Sequence, residues 1–488
     1  MNNKLIPFLL IVAACSISGC SKFLDREPIS SLSEDNYYSN TSEVETGVWG
    51  AYSALRDVYA NDPIIAGLRS DDAYVSESEG DINQIDGFGE TTTNSYVANY
   101  WQTSYFAIKQ CNTVLKYINN VTDSTKKQWF EGEAKFMRAL LYFNMVRIWG
   151  DVPLVTSSID YTSSVAYTRV NVNDVYAQIV NDLNDAIQKL PESWTATEKA
   201  RATNRSAKGL LAKVYLTQKK YTESRALLLD LLQNPGPYNL LPDYTQVFGV
   251  QNELNNEIMF SVRYKSYANG LGNNFTWWMD NFPGSPGFKA SGDFRGNTPF
   301  PEVDSIRKYQ TFIRRKSTTG STSYYCGGKY SEPGAPKYDG GTDLIVLRYA
   351  DIIAMYAEAV NEMDGDTPLD ATDASNPLSR LYQLNLLRSR AAGPIPANVP
   401  VYLFSDSKVS SKDDFRTTLK AERRREFGEE DQRWFDLVRW GDAVTVMNAH
   451  FAGRGILITI QDYQKLYPIP QREIDLSQNR LTQNPGYF

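Results

Sequence analysis

Between Glu422 and Ala443 the chain reads ERRREFGEEDQRWFDLVRWGDA, with four arginines and five acids before the first tryptophan. Acids at Glu426, Glu429, Glu430, Asp431 and Asp436 raise one chemical option at once. Glycoside hydrolysis needs two carboxyl groups facing each other across a sugar bond, one of them holding a proton. Here every acid has an arginine close by in sequence, and a neighbouring cation favours the ionised form. A general acid requires the opposite. The spacing fits better with a helix that pairs charges along its flanks. Glu429 and Arg433 stand four apart, acid first, which is the favourable order, and Asp436 and Arg439 stand three apart. Trp434, Phe435 and Val438 make an apolar strip between them. Exposed pairs of this kind contribute only about 0.3–0.5 kcal/mol each. A partly buried network would specify packing more than it adds stability. The block therefore reads as structural, with Glu422, Arg425, Glu429, Arg433, Asp436 and Arg439 in a salt-bridge network.

Other reaction chemistry finds little in the sequence to work with. The single histidine, His450, leaves a His-based metal site or triad short of ligands. There is no GxSxG elbow, HExxH pair, Walker loop or dinucleotide fingerprint. No metal and no cofactor is expected. Cys111 and Cys326 lie 215 positions apart, and sequence alone does not pair them. The formal charge is −7. That leaves no excess of basic groups to displace counterions from phosphates, which argues against a nucleic-acid partner.

The elements that would position these residues are mostly helical. Apolar stripes predict helices over Ser42–Tyr59, Ser95–Asn119, Val172–Leu190 and a pair within 204–237, with 60–94 irregular. In the pair, Leu211, Ala212, Tyr215, Tyr221 and Leu228 sit at tetratricopeptide-like offsets. Gly132–Leu154 is apolar nearly all round and should be a central helix that Gly150 and Pro153 end. Glu133, Arg138 and Arg147 on that helix are read as further members of the buried network. Trp101 and Trp149 fall on apolar stripes and read as core. From 236 to 342 glycine and proline become frequent and the helical period is lost, which predicts a loop-rich insertion with a few short strands. Helices return over Leu344–Glu362, Pro377–Ala391, Lys412–Phe427 and Glu429–Met447, with short strands expected over Gly455–Ile460 and Tyr467–Ile469. The fold class is mainly α, with helical pairs stacking into a solenoid-like half.

The start of the chain carries a different message. Lys4 precedes an apolar run, Leu5–Ala14, of signal-peptide length and too short for a membrane span. Ile17-Ser18-Gly19-Cys20 resembles a bacterial lipobox, in which cleavage precedes the cysteine and the thiol carries lipid. Two acyl chains suffice for firm membrane anchoring. Removing residues 1–19 takes away Lys4 and no acid, so the charge falls from −7 to −8. The expected organisation is a signal peptide at 1–19, a lipidated Cys20 with an extended spacer to 40, helical repeats at 41–235, the irregular insertion at 236–342, and C-terminal helices and tail at 343–488. Residues 41–488 are expected to form one compact unit.

Several long blocks, in order along nearly the whole chain, resemble the SusD/RagB family of lipoproteins. CSKFLDREP (20–28) resembles their mature start, and EAKFMRALLYFNMVRIWGDVPL (133–154) their central helix and its stop. The 422–443 block and YPIPQREIDLSQNRLTQNPGYF (467–488) resemble their C-terminal signature. The resemblance implies about four tetratricopeptide-like helix pairs and a lipid-anchored protein exposed at the outer-membrane surface. It also implies a SusC-like TonB-dependent barrel as partner, and a ligand, usually an oligosaccharide and in some members a peptide, that is bound but not cut. No motif carries ligand contacts across the family. From the residues alone, two loops present groups suited to sugar hydroxyls and ring faces. One holds Arg69, Asp71, Asp72 and Tyr74; the other holds Asn273, Asn274, Trp277, Trp278 and Asp280, with Tyr324 as a weaker third choice. Turn and salt-bridge chemistry, or a local aromatic cluster, would equally account for these residues.

Overall fold

The computed structural model describes residues 34–75, 80–159, 165–267, 270–279, 288–295, 304–316, 323–363, 376–391, 409 and 411–487. The long helices of the first half are α1 (Thr41–Tyr59), α2 (Ser95–Tyr117), α3 (Ser124–Trp149), α4 (Val172–Lys189), α5 (Asn204–Thr217) and α6 (Tyr221–Gln233). Polar side chains fix several starts. Asn40, Asn94, Asp123 and Asn171 each accept backbone N–H groups of the first turn that the helix leaves unpaired. Each helix packs on the next, so α1/α2, α3/α4 and α5/α6 form successive hairpins. A fourth pair follows much later in sequence, with α7 (Tyr349–Met363) against α6 on one side and α8 (Arg380–Ala391) on the other. The fold is a mainly α, tetratricopeptide-like stack.

The centre is α3. Phe136, Met137, Leu140, Tyr142, Phe143 and Trp149 are buried on nearly every side of it, as a helix lacking a polar face should be. Gly150 ends it with φ of +72°, a conformation that costs other residues more. Trp149 then donates its indole N–H to the Pro468 carbonyl, 3.1 Å away.

The irregular middle folds over this stack through three antiparallel pairs. β1 (Ala73–Val75) pairs with β3 (Phe288–Ala290), β2 (Ile258–Val262) with β6 (Leu344–Arg348), and β4 (Phe312–Lys316) with β5 (Ser323–Gly327). β6 occupies the first five positions of the stretch expected to be helical. LIVLR is rich in residues that suit a pleated surface, and β2 supplies its hydrogen bonds.

The last quarter holds α9 (Lys412–Phe427), α10 (Arg433–Trp440), α11 (Ala443–Gly453) and α12 (Gln471–Leu476). The expected single helix over 429–447 is two, because Gly441 adopts φ +84° and caps α10. The strands expected over 455–460 and 467–469 are not formed: 455 is a turn and the rest has no regular structure. Side-chain amides take the place of a strand partner there: Ile460 N–H donates to Asn448 Oδ1, and Ile469 N–H to Gln483 Oε1, both at 2.7 Å. No helix among the described residues is long and apolar enough to cross a membrane.

Candidate functional site

The charged block packs inward. α9 carries Glu422 and Glu426 into a buried network with Arg307, Arg348, Arg390 and Arg425. Arg348 reaches Glu257 at 2.8 Å, Glu426 at 2.6 Å and Glu430 at 2.8 Å. Arg307 reaches Asp304 at 2.6 Å and Glu422 at 2.7 Å. Burial pushes the Glu422 carboxyl up, but Arg307, Arg425 and Arg388 outweigh it and bring the pKa down to about 2. A second knot joins Arg423 to Asp351 and Asp436, and Arg439 to Asp436 and Glu358. On the repeat side, Arg138 meets Asp182 and Arg201 meets Glu133, each at 2.7 Å. These pairs connect elements far apart in sequence.

Two residues expected in the network stand outside its ion pairs among the described residues. Arg147 lies between the rings of Phe143 and Phe435, 4.0 and 3.9 Å from their centroids. Glu429 sits in the turn between α9 and α10 at φ +63°, not on a helix, so the spacing to Arg433 does not bring them together. Arg433 pairs instead with Asp71, 2.8 Å away. Among the described residues, Glu429 Oε1 and Asp431 Oδ2 are buried without a hydrogen-bond partner. Burial, with Asp72 adding repulsion, pushes Glu429 up to about 8. Burial likewise raises Asp431, with Asp62, Glu429, Glu430 and Asp72 adding to it. Proton-bearing carboxyls are what a general acid needs. Yet the cavity beside Asp431 measures about 40 Å³, room for a water and far too small for a sugar.

The first loop proposed for ligand contact is consumed by the same chemistry. Arg69 is fully buried, 2.7 Å from Glu90, and lies over the rings of Phe88 and Tyr467. Asp71 and Asp72 are held by Arg424 at 2.9 Å each. Tyr74 is half-buried beneath the Arg454 guanidinium. In the second loop, Asn273 is buried and spends its side chain on Thr342 and Thr276. Asn274 is half-buried, and Trp278 is buried against Phe288. Cys20 and Asp280 lie outside the described residues. So does the side chain of Tyr324, whose backbone pairs with Arg315 in the β4·β5 ladder.

What the loops do present is a small aromatic face. Trp277 is buried, and its ring meets that of Tyr338 at 4.4 Å, with the Lys337 ammonium 4.7 Å from the indole. Tyr338 is 49 % exposed and Tyr267 76 % exposed. The two are laced together: Tyr267 N–H donates to Asp339 Oδ2 at 2.7 Å, and its hydroxyl donates to the Gly334 carbonyl. Both tyrosines hold positive φ, +56° and +61°, an outlier for bulky side chains. Tyr96, at the start of α2, lies close enough to feel Asp81 and Tyr338. Sequence reasoning missed Tyr267 and Tyr338. Their signal was a tyrosine set in turn chemistry, Tyr267-Ala-Asn-Gly and Lys337-Tyr-Asp-Gly-Gly.

Comparison with known proteins agrees along the chain. Residues 22–216 match the SusD-like family described as "Starch-binding associating with outer membrane", and residues 288–487 match the SusD family. SusD-like protein P2 of Formosa agariphila is 24 % identical, covering 99 % of this chain and all of that one. A solved SusD homolog from Bacteroides thetaiotaomicron superposes with a TM-score of 0.80 at 22 % identity, over 95 % of this chain and 99 % of its own. A laminarin-binding SusD-like protein superposes with a TM-score of 0.70 at 25 % identity, over 92 % of this chain and all of its own. With its two halves matching in order and its helical stack shared, this chain belongs to the SusD/RagB family.

Proposed function

We propose that this chain is a cell-surface lipoprotein that captures an oligosaccharide on the Tyr96–Tyr267–Trp277–Tyr338 face and delivers it to a SusC-like TonB-dependent barrel without cutting it. The observation that carries the binding face is exposed Tyr338 held at positive φ against buried Trp277, with exposed Tyr267, also at positive φ, tied to the same turn through Asp339 and Gly334. Strain of that kind persists only where surrounding structure enforces it, and it clusters at ligand sites. Flat rings offer a surface for sugar C–H faces, while Asp81, Lys337 and Asp339 stand by for hydroxyls. The loops around Asp71 and Asn273 then act as the frame beneath the face. Family membership supports the surface location, and Cys20 supplies the anchor in this reading.

Laminarin-type β-glucan oligosaccharides are the first ligands to test, given the relative that binds laminarin. Titration calorimetry with laminarihexaose should give saturable binding that Tyr338→Ala weakens about tenfold, roughly 1.4 kcal/mol. A panel of glucans, mannans and host-type glycans that all bind Tyr338→Ala as well as the parent protein would remove this face from consideration. Release of shorter sugars by the parent protein would replace the binding role with an enzymatic one. Co-purification of a barrel through the intact chain, lost on Cys20→Ala, would test the anchored partnership.

A further inference from the structure

The Glu429 carboxyl, in the turn between α9 and α10, lies against the elements that carry the aromatic face. Gly327 closes β5, and a methyl group placed on its Cα would stand 3.5 Å from Glu429 Oε2 and 3.3 Å from Met279 Sδ. The carboxyl and the thioether therefore flank one glycine, and all three residues are buried. Met279 ends the short helix Phe275–Met279. Earlier on that helix, Trp277 supports Tyr338. A short run of contacts thus joins a buried acid to the face.

The two sides of that contact are held with unequal firmness. On the side of the turn, Glu430 pairs with Arg348 at 2.8 Å and Lys329 at 2.6 Å, and Arg433 pairs with Asp71 at 2.8 Å. Breaking buried pairs of this kind is strongly destabilising. On the other side, Phe275–Met279 holds no ionisable residue. Asn273 Oδ1 accepts the Thr276 N–H at 2.9 Å, and Phe275 packs edge-on against Tyr264 and Tyr330. So short a helix has little stability of its own, and it is the side that yields.

A neutral carboxyl suits this dry contact, whereas an anion there needs a cation or water. Two charged groups face Glu429 from other elements. Asp72, just ahead of β1, repels it; Lys329, just after β5, attracts it but is committed to Glu430. Asp431 and Glu430 on its own turn are acids as well, and Asp431 adds the influence of Asp62. Arg424 of α9 is held by Asp71 and Asp72. An ionised Glu429 therefore gains solvent by parting from Gly327 and Met279. We propose that Glu429 is a proton-operated latch on the aromatic face: its neutral carboxyl lets the Phe275–Met279 helix seat, and its anion unseats that helix and draws Trp277 away from Tyr338. The consequence for ligand rests on the function proposed above; the latch itself does not.

Burial pushes Glu429 up to about 8, so the latch opens as pH rises from about 7 to about 9. Amide hydrogen exchange on the purified full chain in detergent reads it without any ligand. Protection of residues 273–279, corrected for the intrinsic rise of exchange with pH, should fall about tenfold over that range while α3 stays protected. Glu429→Gln keeps the shape, cannot ionise, and should hold protection at both ends of the range. Laminarihexaose affinity of the parent protein should weaken about tenfold with the same rise in pH, and Glu429→Gln should remove that dependence. Equal protection of 273–279 at the two pH values in the parent protein, a result that needs no variant, would overturn the latch. So would an undiminished fall in Glu429→Gln, which would move the titration to Lys329, itself pushed down to about 8 by burial. Lost protection with unchanged affinity would overturn the coupling to the face. Laminarihexaose that binds at neither pH would count against the binding face, and the exchange result still decides the latch.

Discussion

The turn between α9 and α10 and the tyrosine face use the same backbone device to opposite ends. Glu429 and Asp431 hold φ of +63° and +57°, much as Tyr267 and Tyr338 hold +56° and +61°. In the first case the strained turn drives carboxyls inward, where neither makes an ion pair among the described residues and Lys329 only partly offsets the burial of Glu429. In the second it holds rings outward, that of Tyr338 against a supporting tryptophan. Ionisable groups are thereby hidden and aromatic surface displayed, the reverse of the usual partition. The contrast teaches that the acids which look most reactive in the sequence are the least accessible. The large rings most open to solvent there, Tyr267 and Tyr338, were not singled out in the sequence at all.

The sharpest break in this comparison is to remove one cation from the interior. Arg348→Met leaves Glu257, Glu426 and Glu430 short of a shared buried partner. The expected loss is roughly 3–5 kcal/mol, seen as a large fall in denaturant midpoint or as failure to accumulate folded protein. Next in size is a pH effect. Glu429, pushed up to about 8, and Asp62, pushed up to about 6 by burial, hold protons in the folded state that the unfolded chain releases near pH 4. Folding stability from these groups is therefore greatest below about pH 4, falls as pH rises, and is fully lost above about pH 8. Melting temperature should decline from pH 5 to pH 8, and Glu429→Gln should flatten the upper part of that decline. Glu422, at about 2, contributes stability that goes only in strong acid, outside this window.

A smaller effect separates strain from binding on the tyrosine face. Tyr338→Gly relieves the positive φ and should leave stability unchanged or raise it by about 1 kcal/mol, while oligosaccharide affinity falls. A fall in both would make Tyr338 a packing residue. The smallest expected effect is Arg416→Ala. Its pair with Glu362 is on the surface, the arginine side chain being 37 % exposed, so removal should cost under about 1 kcal/mol.

Much of the architecture could be read from residue order, for reasons that are local. The stripes of α1, α2 and α4 and the all-round apolarity of α3 depend on neighbours three and four positions away. The 422–443 block showed family and inward packing together, because its charges alternate with large apolar side chains. What escaped was non-local. Asp72 meets an arginine 352 positions away, so a loop rich in polar groups looked free to bind. Leu344–Arg348 took a strand because β2, far upstream, was there to pair with it. Arginines adjacent to Glu429 and Asp431 in sequence were committed to other acids, which proximity along the chain cannot reveal. The aromatic face was half visible: Trp277 was singled out, but the tyrosine lying against it comes from a turn 61 residues later.

Arg69 carries a last implication. Its guanidinium sits among Phe88, Trp434 and Tyr467, donates to the Gln464 carbonyl at 2.5 Å, and shares Glu90 with the Tyr487 hydroxyl. Most of that enclosure is synthesised some four hundred residues after the arginine itself. Until residues 464–487 emerge, an early repeat holds a cation with half its cage missing. Maturation thus waits on translation of the tail, and a polypeptide stopped short of it would present secretion machinery and proteases with an unsealed interior.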